Sequence, residues 1–132
     1  MSSTSQDTPK THRTARAFCL TSAAWFTMAT SAGMIGAGYL IAPDFMANIE
    51  WVHFGRIRPI HVNINLFGFV TPGFLGAAFY FLPRLLKTEL YSEKLGIGSC
   101  VLWNIFVLAG VVGIALGYTQ GREYAELAWP VD

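Results

Sequence analysis

Charge is what this sequence has least of. Asp, Glu, Lys and Arg together make up 13% of its 132 residues and leave a net charge of +1, where a soluble domain carries about 25% charged residues. There is no basic field to neutralise phosphates, which excludes a nucleic-acid binder. Hydrophobic residues form 53% of the chain, and that excludes disorder over most of its length. Cysteine is scarce as well. Cys19 and Cys100 are too few for a disulfide scaffold, and neither stands in a C-x-x-C-H haem-attachment motif. No H-E-x-x-H, Ser/His/Asp set or phosphate loop is present.

Where the few charges lie is more telling. Residues 17–42, 59–83 and 95–120 contain none, and each block is near the roughly 20 apolar residues that cross a bilayer core as a helix. The chain therefore reads as all-α and integral to a membrane. Residues 1–16 form a polar tail, 17–42 the first span, 43–58 an outer loop and 59–83 the second span. Residues 84–94 form a cytoplasmic loop, 95–120 the third span and 121–132 an outer segment. A signal peptide is the competing reading of the start. The run after Arg16 is too long for a signal h-region, and no convincing cleavage site precedes Pro43.

Three spans put the tail and the loop at 84–94 on one side. That side holds Lys10, Arg13, Arg16, Arg84, Lys87 and Lys94; the other holds Arg56, Arg58 and Arg122. By the positive-inside rule the N-terminal end is cytoplasmic. The acids Asp44, Glu50, Glu123, Glu126 and Asp132 then all lie outside. Glycines recur inside every span, among them Gly33, Gly36, Gly68, Gly73, Gly76 and Gly110. Gly33 to Gly38 does not fit G-x-G-x-x-G and follows no strand, so close helix packing through small residues is expected. Pro72 should kink the second span, and lipid offers its freed carbonyl no water, so neighbouring helices must supply the missing donor.

His61, two residues inside the second span, is the one ionisable group in the charge-free blocks apart from tyrosines and cysteines. Such residues are costly in lipid and face a bundle interior or a cofactor. Asn65 lies one turn along on the same helix face, with Gly68 nearly below it. An imidazole followed by small residues suits a haem ligand beside a slot for the macrocycle; a histidine hydrogen-bonded at the interface is the other reading, and both stand. Arg58, one turn from His61, and Arg56 suit haem propionates or ordinary interfacial anchoring. Glu123 and Glu126 share a face if the third helix continues, as oxygen ligands for calcium or a proton entry point. A pair of acids falls well short of the six to eight oxygens calcium takes, roughly, so a solvated helix end with Tyr124 and Trp129 in the aromatic belt is the stronger reading. His12 lies in the tail, on the other side from His61, and His53 has no ligand-spaced partner. Cys19 and Cys100 are expected to be packing residues.

The string Phe54-Gly55-Arg56-Ile57-Arg58-Pro59-Ile60-His61-Val62-Asn63 and the ending Glu123-Tyr124-Ala125-Glu126-Leu127-Ala128-Trp129-Pro130-Val131-Asp132 closely resemble the start of subunit I of the cbb-type haem–copper cytochrome c oxidases. The likeness runs from about Arg16 to the last residue. Nitric oxide reductase large subunits share Arg-x-x-His-x-Asn, and Glu89-Leu90-Tyr91-Ser92 with Lys94-Leu95 looks more like them; the ending looks more like the oxidases. The resemblance implies that His61 is the first axial ligand of low-spin haem b, which receives electrons from cytochrome c subunits. It implies that Arg58 lies near the propionates, that Glu123 binds a calcium ion bridging propionates of the two haems, and that Glu126 is the acid beside it. It further implies a component of a proton-translocating oxidoreductase in the bacterial inner membrane. The family's high-spin haem and histidine-held copper belong to later helices, which this sequence does not include. The expectation is a piece of a divided subunit or a shortened remnant that completes its fold with other chains. A homodimer clamping one haem between two His61 residues, and a degenerate protein that binds nothing, are the remaining alternatives.

Overall fold

The computed structural model describes residues 12–118 and Leu127, and these residues contain helices and no strand. Helix α1 is Arg13–Ile41, 29 residues. A loop with a short 3-10 turn at Glu50–Val52 leads to α2, Phe54–Asn63. A π-helical segment, Ile64–Val70, joins α2 to α3, Thr71–Leu85. Together these form one uninterrupted helical run of 32 residues. Helix α4 is Glu93–Ala115, 23 residues. At about 1.5 Å per residue the three rods measure about 35 to 48 Å, longer than the ~30 Å hydrocarbon core of a bilayer.

The rods run beyond the charge-free blocks. Helix α1 begins four residues before residue 17, and α2 begins at Phe54, so Arg56 and Arg58 stand on helix and not in the outer loop. The absence of charge marks where lipid begins. Backbone hydrogen bonding is free to continue into the headgroup region.

Local chemistry sets the ends. Ala42 is extended at φ −133°, as the residue before Pro43 must be, and α1 stops there. Ser92 caps α4, its Oγ accepting the Leu95 N–H at 3.3 Å. At the far end Gly117 takes φ 92°, its N–H reaches the Ile114 carbonyl at 2.9 Å, and the Tyr118 N–H reaches Gly113 at 2.9 Å. That pair of bonds is a Schellman closure. Helix α3 ends the same way, with Lys87 at φ 52° in the glycine position.

Within the spans, hydroxyls bond back to their own helix: Thr21 to Ala17, Thr27 to Ala23, Thr30 to Phe26, Ser31 to Thr27 and Ser99 to Leu95. In lipid this satisfies them without a partner helix. The π segment has a definite cause. Pro72 has no N–H and its ring crowds the preceding turn. Thr71 sends both its N–H and its hydroxyl to the Leu66 carbonyl, five residues back. The Phe67 carbonyl then has no intrahelical donor, because Thr71 is engaged and Pro72 has none to give. Trp103 of α4 supplies one, its Nε1 at 2.8 Å. Ser22 of α1 also donates its hydroxyl to the Phe69 carbonyl, at 2.8 Å. For Phe67 a neighbouring helix provides the donor that Pro72 made necessary.

Helix α1 lies antiparallel against α2–α3 through small residues. A Cβ at Gly76 would sit 2.7 Å from Cys19 Sγ, one at Gly73 3.1 Å from Ser22 Oγ, and one at Gly68 2.8 Å from Trp25. The numbers rise on one helix as they fall on the other, a single zipper of glycines. Helix α4 closes on the third side: Trp25, Ala29, Ile60, Ile64, Val107 and Ile114 form the buried cluster where the rods meet. Two polar ties fix the ends. Thr14 of α1 donates its N–H at 2.8 Å and its hydroxyl at 2.6 Å to Glu93 of α4. At the other end Arg56 of α2 reaches Ala115 of α4. The tail side and the α3–α4 loop thus share one end of the molecule, as the three-span reading requires.

Candidate functional site

Helix α2 carries His61 in its last turn before the π segment and turns it toward α1. The imidazole Nδ1 lies 2.8 Å from the Ala29 carbonyl oxygen. A carbonyl only accepts, so Nδ1 carries a hydrogen, and in the neutral ring the lone pair is then on Nε2. That is the tautomer of a metal-binding histidine, whose other nitrogen donates to a carbonyl or carboxylate that fixes the ring. The ring rests on Gly33 of α1: a Cβ there would be 2.7 Å from Cε1 and 2.9 Å from Nδ1, but 3.5 Å from Nε2. Nε2 is the ring nitrogen farthest from the crowded wall. Asn65, one turn on, bonds the His61 carbonyl through Nδ2 at 3.0 Å and stands 3.3 Å from each ring nitrogen. With the hydrogen on Nδ1, only Nε2 can accept from that amide.

The other expected site residues separate. Arg58 is exposed one turn before His61, on the headgroup side. Arg56 donates Nη1 to the Ala115 carbonyl at 2.9 Å, so this cation closes the negative end of α4 and ties two helices together. Gly68, expected beside a slot for a flat ring, lies against Trp25 of α1. Glu123 and Glu126 lie outside the described residues. Among the described residues no cluster of three or more His, Cys, Asp or Glu is placed to hold a metal ion.

The other histidines are elsewhere. His53 precedes α2 with its ring 6.0 Å from Tyr39. His12 packs against Tyr80 at 5.3 Å and stands 3.4 Å from Arg84 Nη2 at the opposite end. Both cysteines are free thiols, Cys19 exposed and Cys100 buried, and both pack against small or polar neighbours.

Several residues that build this region carried little signal in the sequence. Trp25 donates Nε1 to Asn104 Oδ1 at 2.7 Å, and Asn104 donates Nδ2 to the Cys100 carbonyl at 2.7 Å. This pins α1 to α4 behind the histidine. A Trp and an Asn inside charge-free blocks both need partners in lipid, and that need was the available clue. Gly33 was indistinguishable from the packing glycines around it.

The donor set fits one face of a haem: an imidazole whose Nδ1–H is held from behind by a backbone carbonyl, with Nε2 as the nitrogen left to ligate. It fits one face only. Six-coordinate low-spin iron takes a second axial ligand, and neither His12 nor His53 stands near His61.

Comparison with known proteins points to one family. Residues 13–132 match the family described as cytochrome c and quinol oxidase polypeptide I. The chain is 30% identical over 129 residues, 98% of its length, to the cbb3-type cytochrome c oxidase subunit CcoN1 of Stutzerimonas stutzeri, covering 27% of that protein. It is 36% identical over 111 residues, 82% of its length, to a cytochrome c oxidase subunit 1 homolog of Agrobacterium tumefaciens, covering 20% of it. It is 32% identical over 111 residues, 70% of its length, to a nitric oxide reductase polypeptide of Stutzerimonas stutzeri, covering 22% of it. The chain therefore spans about a quarter or less of the length of these relatives. With three membrane-length helices, the Arg-x-x-His string at the mouth of the second and a match over nearly its whole length, the chain belongs to the cytochrome c and quinol oxidase polypeptide I family.

Proposed function

We propose that this chain supplies one axial ligand, His61, to a low-spin haem b in a cbb-type terminal oxidase of the bacterial inner membrane. The observation that carries this is the Nδ1 to Ala29 carbonyl bond of 2.8 Å, which leaves Nε2 as the ligating nitrogen. Haem b supplies a one-electron carrier when bound. The protein's part is to hold the ring plane of His61, to keep its Nδ1 hydrogen engaged, and to exclude water with the apolar walls of α1 and α2. Arg58, one turn toward the headgroups, pairs with a propionate through its planar guanidinium. In the same reading Glu123 holds a calcium ion beside the propionates, with Glu126 next to it; the resemblance alone supports that pair.

The second axial ligand, the high-spin haem and the copper belong to the rest of subunit I, and the electron donors are cytochrome c subunits. Nitric oxide reduction is a second reading, favoured by the match to the nitric oxide reductase polypeptide. The oxidase reading has more support, since the cbb3-type relative matches 98% of the chain against 70%. Oxygen and nitric oxide consumption by the same purified complex separates the two.

The test is His61→Ala in the complex purified from membranes through a tag on this chain. The reduced-minus-oxidised spectrum should lose its low-spin haem b band while the complex still assembles. An unchanged spectrum refutes the assignment.

A further inference from the structure

The bond that fixes His61 has an unusual requirement. In an α-helix the Ala29 carbonyl already receives the N–H of residue 33, and any side chain at 33 leans toward the N-terminus, over that same turn. A donor from another helix reaches the Ala29 oxygen only if the flank at residue 33 is bare. Gly33 provides the opening. A Cβ there would lie 2.7 Å from His61 Cε1 and 2.9 Å from Nδ1, closer than packed carbon atoms approach. Gly36, on the same helix three residues later, would place a Cβ at 3.9 Å from Ile57, an ordinary contact. The two glycines differ in kind: one accommodates helix packing, the other admits an imidazole to a backbone carbonyl.

We infer that Gly33 is a positioning residue for the haem ligand, acting through His61 by keeping the Ala29 carbonyl open to Nδ1; this rests on the reading of His61 as a ligand. The Nδ1–H bond makes the imidazole a better electron donor to iron and favours the oxidised state. Forcing the ring off Gly33 lengthens that bond, rotates the ligand plane and weakens the donation. The haem potential should rise and the spectrum of the ferric low-spin form should shift.

The experiment compares Gly33→Ala, Gly36→Ala and His61→Ala in the tagged complex by redox titration and by electron paramagnetic resonance of the oxidised haem. Gly33→Ala is expected to raise the midpoint potential and move the low-spin g-values, or to lose the low-spin haem outright. Gly36→Ala should match wild type in both. The double variant Gly33→Ala with His61→Ala controls for folding: with the ring gone, the three atoms nearest the added methyl are removed, so it should cause little further loss of chain from the membrane. Wild-type g-values and potential in Gly33→Ala overturn the inference, as does a loss of chain equally large with and without the His61 ring. If His61→Ala itself keeps the low-spin haem, the ligand assignment fails first. If His61→Ala loses it and Gly33→Ala is silent, only the positioning role fails.

Discussion

At the scale of single residues, the membrane decides what a polar atom is worth. Trp103 is half-buried on α4 and donates Nε1 to the Phe67 carbonyl, which has no donor on its own helix. Trp103→Phe would leave that carbonyl unpaired where water does not reach, at a cost of about 1–3 kcal/mol. Denaturation of the purified complex in detergent should show a loss of that size; a change under about 0.5 kcal/mol, the scale of surface substitutions, would mean the carbonyl finds another partner. The sequence revealed half of this. Pro72 announced that some carbonyl would need outside help, but which one depends on the π register, and which helix helps depends on packing between segments far apart in the chain. His61 was legible because an ionisable group in a charge-free block is conspicuous. Gly33 was not, since its role exists only once another helix lies against it. Arg56 spends one of its five donors on the end of α4, a contact that no local pattern encodes.

Elements were easier to read than their limits. All three spans follow from charge-free runs of membrane length, and each is a helix in the structure. Their ends depend on caps. Gly117 after α4 is a recognisable stop signal, while Lys87 takes the equivalent left-handed position after α3 without being glycine. An L-residue held there costs about 1 kcal/mol that glycine does not incur. Lys87→Gly should therefore raise stability by up to about 1 kcal/mol in the same denaturation assay, even though glycine is normally the destabilising choice. A loss of stability would indicate that the lysine side chain contributes more than its backbone costs. The continuity of α2, the π segment and α3 matters for the site as well. His61 is three residues before the π segment, so the register at Pro72 reaches the ligand through one unbroken run of backbone.

The whole molecule is a bundle with much of its surface still facing outward. Of the most apolar stretch of each membrane helix, 28% of residues are buried in α1 and 17% in each of the other two. Large side chains such as Phe74, Leu40 and Met34 are more than 70% exposed. On the proposed function, lipid or further helices of the complex would cover these faces; the chain spans about a quarter or less of the relatives it matches. The orientation proposed from the charge distribution is testable. In a Cys19- and Cys100-free background, a membrane-impermeant thiol reagent on intact cells should label Val131→Cys and leave Ser3→Cys untouched; the opposite pattern would move His61 to the cytoplasmic side. The central claim is that His61 binds iron, and a density map of the complex purified through this chain tests it most directly. The expected density shows a haem whose iron is joined to His61 Nε2, with Nδ1 still on the Ala29 carbonyl and a second ligand from another helix. Density showing Nε2 against lipid or protein, with the iron held by other residues, would contradict it.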